Sequence, residues 1–170
     1  TDLVSLSACG SYKAELYPGL FVLVDQFVDR TSRRENSFFG RGCVAHVSVA
    51  HPVGPALQAR IAAAAQAEDL PFVRGGTLVT MEGPQFSTYA ESTTYRSLGY
   101  DLIGMTAMPE AVLARELGLP YAAINLVANY AAGRADSRHG ISFDAIEQVL
   151  QESMGRVRTI IAALVGGSDS

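Results

Sequence analysis

Cysteine and positive charge are both scarce in this sequence. Only two of its 170 residues are cysteine, and 13 lysine and arginine residues stand against 17 aspartate and glutamate residues, a formal net charge of −4. The absence of basic blocks argues against a nucleic-acid partner or an anionic membrane surface. Cys9 and Cys43 lie far apart and form no CxxC unit. We therefore predict two buried, reduced thiols in a cytoplasmic protein rather than a disulfide.

Histidine clusters and long apolar runs are also missing. The three histidines, His46, His51 and His139, form neither an HExxH motif nor a Cys/His set with ligand spacing, so no metal site is predicted. Every apolar stretch is broken by glycine, proline or a charged residue, and no positively charged start leads into an apolar core. We therefore expect neither a membrane span nor a secretory signal.

The sequence does contain short apolar runs that alternate with helical segments. Hydrophobic residues make up 48% and charged residues 18%, which is typical of a globular domain, and the length suits one domain over residues 1–170. The apolar runs predict strands at residues 3–6, 20–24, 44–49, 77–81, 101–105 and 122–127. Apolar periodicity and helix ends predict helices at residues 55–68, 90–98, 109–117 and 143–164. This alternation predicts an α/β fold around a largely parallel or mixed sheet.

Four unusual segments follow predicted strands, where the ligands of open α/β sheets gather. They are SACGS at residues 7–11, EGPQFST at residues 82–88 with Ala90 and Glu91, GMTAMPE at residues 104–110, and NYAAG at residues 129–133. Taken singly, each has an ordinary interpretation: a tight turn, a loop, a core residue followed by a helix cap, and a turn residue. Their occurrence together, each at the end of a strand, predicts one shared ligand site.

These segments, together with VDQFVDRT at residues 24–31, resemble the trimeric purine nucleoside phosphorylases and, within them, the methylthioadenosine phosphorylase branch. The resemblance runs from residue 5 to about residue 164. It implies a three-layer α/β/α fold with a mixed central β-sheet, assembled as a homotrimer with sites near the subunit interfaces. It also implies reversible phosphorolysis, in which a purine nucleoside and phosphate give free purine and a (methylthio)ribose 1-phosphate. No cofactor is implied, since phosphate is a co-substrate.

The resemblance implies how one end of this site would hold phosphate and sugar. Ser7, the backbone N–H of Ala8 and the hydroxyl of Thr106 would bind phosphate, and Met105 would pack against the ribose. The small residues Cys9 and Gly10 complete the turn beside the substrate. Because phosphate is itself the nucleophile, no nucleophilic side chain is required, which agrees with the absence of a convincing Ser/His/Asp or Cys/His arrangement.

The other end of the implied site holds the purine and the 5′ group. Phe86 would contact the face of the purine, Ser87 its Watson–Crick edge, and Asn129 its N7 side as the catalytic hydrogen-bond donor. The remaining implied residues are Ala131 beside the base, and Phe143, Ile146 and the His46 of a neighbouring subunit around the 5′ group. A partly buried, hydrogen-bonded histidine is the ordinary alternative for His46.

An arginine cluster in the same chain has a less specific interpretation. Arg30, Arg33 and Arg34 could bind an anion, but like charges so close together repel each other unless they are paired. We expect a solvated or interface cluster.

The sequence also departs from the family pattern. Family chains begin well upstream, with a glycine-rich phosphate loop and an Arg-His pair, so we expect this chain to lack that N-terminal portion. ANYA at residues 128–131 stands where the methylthioadenosine branch has Thr-Asp-Tyr-Asp, Ser87 stands where guanosine and inosine branches have Glu, and Glu147 lies where the methylthio pocket is normally apolar. The sequence mixes two branches.

The residue after the last predicted strand favours one class of base. The Asn129 amide could donate to both N7 and O6 of a 6-oxopurine, and Ala131 removes the carboxylate that would face O6 unfavourably. We therefore expect inosine-type or 5′-methylthioinosine substrates. Two alternatives stay open: a 5′-methylthioadenosine phosphorylase proper, and a non-catalytic interaction protein on the same scaffold.

Overall fold

The computed structural model describes residues 1–134 and 137–166. In chain order the elements are β1 (Leu3–Ser11), β2 (Phe21–Leu23), β3 (Gln26–Arg30), α1 (Pro55–Ala67), β4 (Phe72–Arg74), β5 (Thr77–Met81), α2 (Tyr89–Ser97), β6 (Leu102–Gly104), α3 (Ala107–Glu116), β7 (Tyr121–Tyr130) and α4 (Phe143–Gly166).

The strands form a mixed sheet in the order β3-β5-β6-β1-β7-β2-β4. Its two longest strands, β1 and β7, pair in parallel from Leu3 opposite Tyr121 to Ser11 opposite Tyr130. On either side of this pair the direction changes, because β6 is antiparallel to β1 and β2 is antiparallel to β7. The outer pairs are again parallel.

Helices cover both faces of the sheet around β7. Its residues Ala122, Ile124 and Leu126 pack with apolar side chains of α1 and α4. The alternate residues Tyr121 and Val127 pack on the opposite face with apolar side chains of α3. Side chains alternate between the two faces of a strand, so a strand covered on both faces is apolar nearly throughout. The predicted α/β/α layers with a mixed sheet are confirmed.

All four predicted helices are present, with ends that differ from the prediction by at most two residues. Helix α1 begins with Pro55, whose missing N–H costs nothing in the first turn, and continues through an alanine-rich stretch with high helix propensity. Gly118 follows α3 with a φ of 67°, and its N–H donates to the carbonyl of Arg115, as expected for a residue that ends a helix.

The strand prediction is wrong in three places. Residues 44–49 form no strand and are mostly exposed, although half of them are valine. The short strands β3 and β4 were not predicted, because their apolar runs are short and contain or adjoin charged residues. β1 was expected to be buried from its start, but Leu3 and Leu6 are each 40% exposed.

The two cysteines differ from each other. Both are free thiols, but Cys9 is buried and Cys43 is exposed, so the prediction of two buried thiols is wrong for Cys43. Cys43 lies in a turn outside the sheet. None of the helices described has the length and apolar character that a membrane crossing needs.

Candidate active site

A cavity of about 410 Å³ lies where the ends of β5, β6 and β7 meet the middle of β1. This volume falls within the roughly 300–1,000 Å³ that is typical of small-molecule sites. All four segments singled out from the sequence contribute to its wall. The predicted site residues that line it are Ser7, Ala8, Cys9, Gly10, Phe86, Ser87, Met105, Thr106, Asn129, Ala131, Phe143 and Ile146.

The cavity exists because β1 and β6 separate. β1 pairs with β7 along its whole length, but its ladder with β6 comprises Gly10 and Ser11. Before Gly10 the two strands diverge, and residues 7–9 and 104–106 line the gap between them. The segments were expected directly after the ends of strands. This is right for residues 104–106 at the end of β6, but wrong for residues 7–11 and Asn129, which lie within β1 and β7. Because β6 runs antiparallel to β1, its end meets the middle of β1.

A β-bulge places Asn129 in the cavity wall. Cys9 pairs with Val127, but Gly10 pairs with Asn129, so β7 carries one extra residue, Ala128, at this point. A bulge bends the strand and redirects the side chains that follow it. Gly10 leaves room for the Asn129 side chain in this position, since a Cβ at Gly10 would lie 3.1 Å from Ile103 Cγ2 and 3.5 Å from Asn129 Nδ2.

The amide of Asn129 is held by the turn that follows β7. Its Nδ2 donates to the carbonyl of Tyr130 at 2.7 Å, and the same carbonyl accepts from the Ser137 hydroxyl at 2.6 Å. The Ser92 hydroxyl of α2 donates to the carbonyl of Ala132 at 2.6 Å and ties down the other side of this turn. The bond to Tyr130 uses one amide hydrogen, so Asn129 offers a ligand one N–H and Oδ1, not the two donors expected.

Two aromatic rings form one wall of the cavity. The ring centroids of Phe86 and Phe143 lie 5.5 Å apart with their planes at 47°. The start of α2 fixes the Phe86 side, because Thr88 and Glu91 form a reciprocal capping box: Thr88 N–H donates to Glu91 Oε2 at 2.8 Å, and Glu91 N–H to Thr88 Oγ1 at 3.2 Å. The bond from the Thr88 N–H, and a second from the Thr88 hydroxyl to Glu91 Oε2 at 2.9 Å, lower the pKa of Glu91. The T-x-x-E spacing is visible in the sequence and places the start of this helix directly after Thr88. This is more accurate than the predicted start at residue 90.

The end of the cavity predicted to hold phosphate is polar but neutral. The Ser7 hydroxyl donates to Oδ1 of the buried Asn125 at 3.0 Å. The Ser7 proton therefore points into the sheet, and the Ser7 lone pairs point away from the sheet. Thr106 precedes α3 without making a side-chain capping bond, so its hydroxyl is available to a ligand. The residues that line the cavity in the described part of the chain carry no charged side chain. To an anion, these residues offer only backbone N–H groups and hydroxyl groups.

Burial makes Cys9 an unreactive part of this wall. Its side chain is 4% exposed, its Sγ donates to the carbonyl of Leu126 at 3.5 Å, and burial raises the pKa of the thiol. A thiolate is the reactive form of cysteine, so Cys9 shapes the cavity and has no nucleophilic role.

His46 is the one predicted site residue outside the cavity wall. It is exposed and lies in a stretch of the chain with neither helix nor strand. The alternative of a partly buried, hydrogen-bonded histidine is therefore wrong. Its assignment to the site of a neighbouring subunit stays a prediction. Among residues 1–134 and 137–166, no three or more His, Cys, Asp or Glu side chains are grouped so that they could hold a metal ion.

Several residues that line the cavity were not predicted. Most of them lie beside predicted ones in the same strands or turns, so the ends of the apolar runs could have indicated them, whereas Ile141 carries no sequence signal. They are Leu6, Met81, Ile103, Gly104, Ala128, Ala132 and Ile141.

Two sequence relatives illustrate what this chain is similar to. It is 57% identical over 164 residues to the S-methyl-5′-thioadenosine phosphorylase of Bradyrhizobium diazoefficiens, an alignment that covers 96% of this chain and 56% of the relative. It is 40% identical over 169 residues to the 6-oxopurine nucleoside phosphorylase of Pyrococcus furiosus, covering 95% of this chain and 63% of the relative. The chain thus spans little more than half the length of the first of these relatives.

Solved structures share the fold. A methylthioadenosine phosphorylase from Schistosoma mansoni, in complex with adenine, superposes with a TM-score of 0.93 at 31% identity, over 100% of this chain and 67% of that one. A methylthioadenosine phosphorylase from an antarctic soil metagenomic library has a TM-score of 0.90 at 39% identity, over 97% and 58%. The sequence pattern of the Phosphorylase superfamily matches residues 1–166. The chain therefore belongs to the Phosphorylase superfamily.

Proposed function

We propose that the complete gene product containing these residues catalyses the reversible phosphorolysis of purine nucleosides. The observation that carries this proposal is the convergence of residues 7–10, 86–87, 105–106, 129 and 131 on one cavity, whose lining in the described part of the chain is uncharged. Membership of the Phosphorylase superfamily and the two phosphorylase relatives support it. The proposed co-substrate is inorganic phosphate, without a cofactor. The state of Cys9 and Cys43 as free thiols supports a cytoplasmic location.

The proposed chemistry needs hydrogen bonds at both ends of the cavity. As the N-glycosidic bond breaks, positive charge develops on the sugar and negative charge on the departing purine. Phosphate, held by the Ala8 N–H and the Thr106 hydroxyl, and by the Ser7 hydroxyl once its proton turns from Asn125 to the anion, attacks the sugar carbon. The remaining N–H of Asn129 donates to the leaving purine. A donor placed at the developing charge stabilises the transition state, and Phe86 and Met105 give this part of the wall an apolar surface.

The donor at the base supports a 6-oxopurine as the leaving group. An amide donates a hydrogen bond but cannot give up its proton, so Asn129 suits a base that departs as an anion with charge spread onto O6. No carboxyl group lies among the residues that line the cavity in the described part of the chain. We therefore propose inosine-type or 5′-methylthioinosine substrates.

A 5′-methylthioadenosine phosphorylase is the second candidate, and one observation favours it. With one hydrogen donated to Tyr130, Asn129 presents one donor and one acceptor, the pattern that N7 and N6–H₂ of adenine require. The comparison that separates the two candidates is kcat/KM for 5′-methylthioinosine, inosine and 5′-methylthioadenosine, with Asn129→Asp alongside. The 6-oxopurine proposal expects a preference of about tenfold or more for an inosine-type substrate and a shift towards adenine in Asn129→Asp. A tenfold preference of the unmutated enzyme for methylthioadenosine would overturn it.

We further propose a homotrimer in which His46 enters the 5′ pocket of a neighbouring subunit. The His46 side chain is exposed and does not line the cavity of its own chain, which supports this proposal. The exposed side chains of Phe38, Phe39 and Val44 in the same connection support it as well. An apolar surface of this kind is typical of a contact with another protein. Light scattering on the complete gene product tests the assembly, and a fully active monomer would contradict it.

Release of free base tests the enzyme proposal itself. Incubation of the complete gene product with nucleoside should release purine when phosphate is present and not when it is withheld. Absence of release from both adenine and 6-oxopurine nucleosides would favour the non-catalytic interaction protein. Because none of residues 1–134 and 137–166 places a charged side chain in the cavity wall for phosphate, we expect little or no turnover from this chain alone.

A further inference from the structure

Arg34 lies outside the cavity but is bonded to two of the segments that form it. It belongs to the connection between β3 and α1, and its side chain is 24% exposed. Nη1 donates to the carbonyls of Met105 at 2.7 Å and Met108 at 2.6 Å, and Nη2 donates to the carbonyls of Glu82 at 2.9 Å and Met81 at 3.4 Å. One guanidinium therefore joins the end of β5 to the turn between β6 and α3. Of the expected solvated or interface cluster, the solvated alternative is wrong for Arg34, which is paired with Glu82.

The carboxylate of Glu82 completes this contact. Its Oε1 accepts from Arg34 Nε at 3.4 Å, and its Oε2 accepts from the backbone N–H groups of Ser32 at 2.5 Å and Arg33 at 3.1 Å. These bonds, that of Ser32 foremost, lower the pKa of Glu82. The charge of Arg34 is thereby paired, and the β3–α1 connection is fixed to the end of β5.

The turn that Arg34 holds carries the sugar-facing part of the cavity wall. Met105 and Thr106 both line the cavity. Met105 is also supported from behind by Gly83, where an added Cβ would lie 2.7 Å from Met105 Sδ. Arg34 fixes the backbone of Met105 and Gly83 leaves space for its side chain, so the position of this wall depends on residues that do not touch the cavity.

We propose that Arg34 is the positioning residue for Met105 and Thr106, and so for the sugar and phosphate half of the site. This inference rests on the proposed function. Arginine is required because its planar fork presents five donors in fixed directions, whereas lysine is a compact charge that cannot span four carbonyls on two segments. The purine half of the cavity, at Phe86 and Asn129, receives no bond from Arg34, so the two halves should respond differently to its loss.

The test compares Arg34→Ala and Arg34→Lys with Arg33→Ala, a neighbouring exposed arginine, in the complete gene product. The readouts are nucleoside phosphorolysis, equilibrium binding of free hypoxanthine and adenine, and thermal unfolding. A misplacement of about 1 Å costs up to about 100-fold in rate. We expect kcat/KM to fall about 10- to 100-fold in Arg34→Ala, mainly through kcat, while the Kd of the free base changes less than about threefold.

Arg34→Lys keeps the charge and is the variant to use if Arg34→Ala does not fold. It should lose at least about fivefold in kcat/KM, and Arg33→Ala should stay within about twofold of the unmutated enzyme. Full activity in Arg34→Lys, or an equal loss of free-base binding and phosphorolysis in either Arg34 variant, would overturn the inference. Absence of phosphorolysis in the unmutated protein would instead overturn the proposed function, and this inference with it.

Discussion

The central sheet and the β3–α1 connection are both rich in apolar residues, but the sheet buries most of its own, whereas the connection exposes the large ones from Phe38 to Val49 and buries Val53 at its end. Ile124 of β7 is 1% exposed, whereas Phe38 and Val44 of the connection are 60% and 80% exposed. The valines of residues 44–49 predict a strand, yet no strand forms there. A valine-rich run becomes a strand where a neighbouring strand pairs with it, and the neighbour is not encoded in the segment itself.

The two regions also contribute to the site in different ways. The sheet supplies the residues that line the cavity, and its bulge at Ala128 sets their direction. The connection contributes from outside, through the bonds of Arg34 and, in our proposal, through His46. A segment without regular structure can thus be specified by a few polar contacts while its apolar side chains stay exposed.

The largest difference between the two regions should be in stability. Ile124→Ala removes side-chain volume from a closely packed layer and should lower the free energy of unfolding by about 2–5 kcal/mol. In the dissociated subunit Val44→Ala removes exposed surface and should lower it by about 0.5 kcal/mol or less, whereas in the proposed homotrimer the same change would act on subunit association. Urea unfolding at one protein concentration measures both. Equal losses would show that residues 44–49 are packed as firmly as the sheet.

A second effect should appear at the 5′ group of the substrate. If His46 enters a neighbouring site, His46→Ala should change the ratio of kcat/KM for 5′-methylthioinosine to that for inosine by about tenfold. His51→Ala, another exposed histidine of the same connection, should leave the ratio unchanged. Steady-state kinetics with both substrates measures this ratio, and identical behaviour of the two variants would remove His46 from the site.

The smallest effect concerns pH and the bond between the connection and β5. Contacts with Ser32, Arg33 and Arg34 lower the pKa of Glu82 from its ordinary value of 4.5. A carboxyl whose pKa is lowered on folding stabilises the fold above its ordinary pKa, and this stability is lost as pH falls through the lower folded value. The difference in unfolding free energy between the unmutated protein and Glu82→Gln should therefore be constant near neutral pH and shrink below about pH 4.5. A difference independent of pH would contradict this assignment.

The fold could be predicted from the sequence where the signals are local. Pro55 and the alanines after it indicate α1, and the apolar run before Asn129 indicates β7. The strand directions could not be predicted, because the antiparallel placement of β6 beside β1 depends on contacts between distant residues.

The site could be predicted mainly through the resemblance. The residues it indicated, from Ser7 to Ile146, line one cavity, with His46 the exception. What could not be foreseen was how they are held. The Asn129–Tyr130 bond depends on a bulge, and the bonds of Arg34 depend on a connection that no local pattern specifies.

The most direct test of the account is the identity of the sugar product and its dependence on Asn129. Phosphorus NMR of the complete gene product with 5′-methylthioinosine or inosine and phosphate should show a sugar 1-phosphate that forms in step with free purine. Asn129→Ala should slow both about 100-fold or more, because it removes the donor to the leaving base. Free sugar without sugar phosphate, or an Asn129→Ala variant as fast as the unmutated enzyme, would contradict phosphorolysis at this cavity.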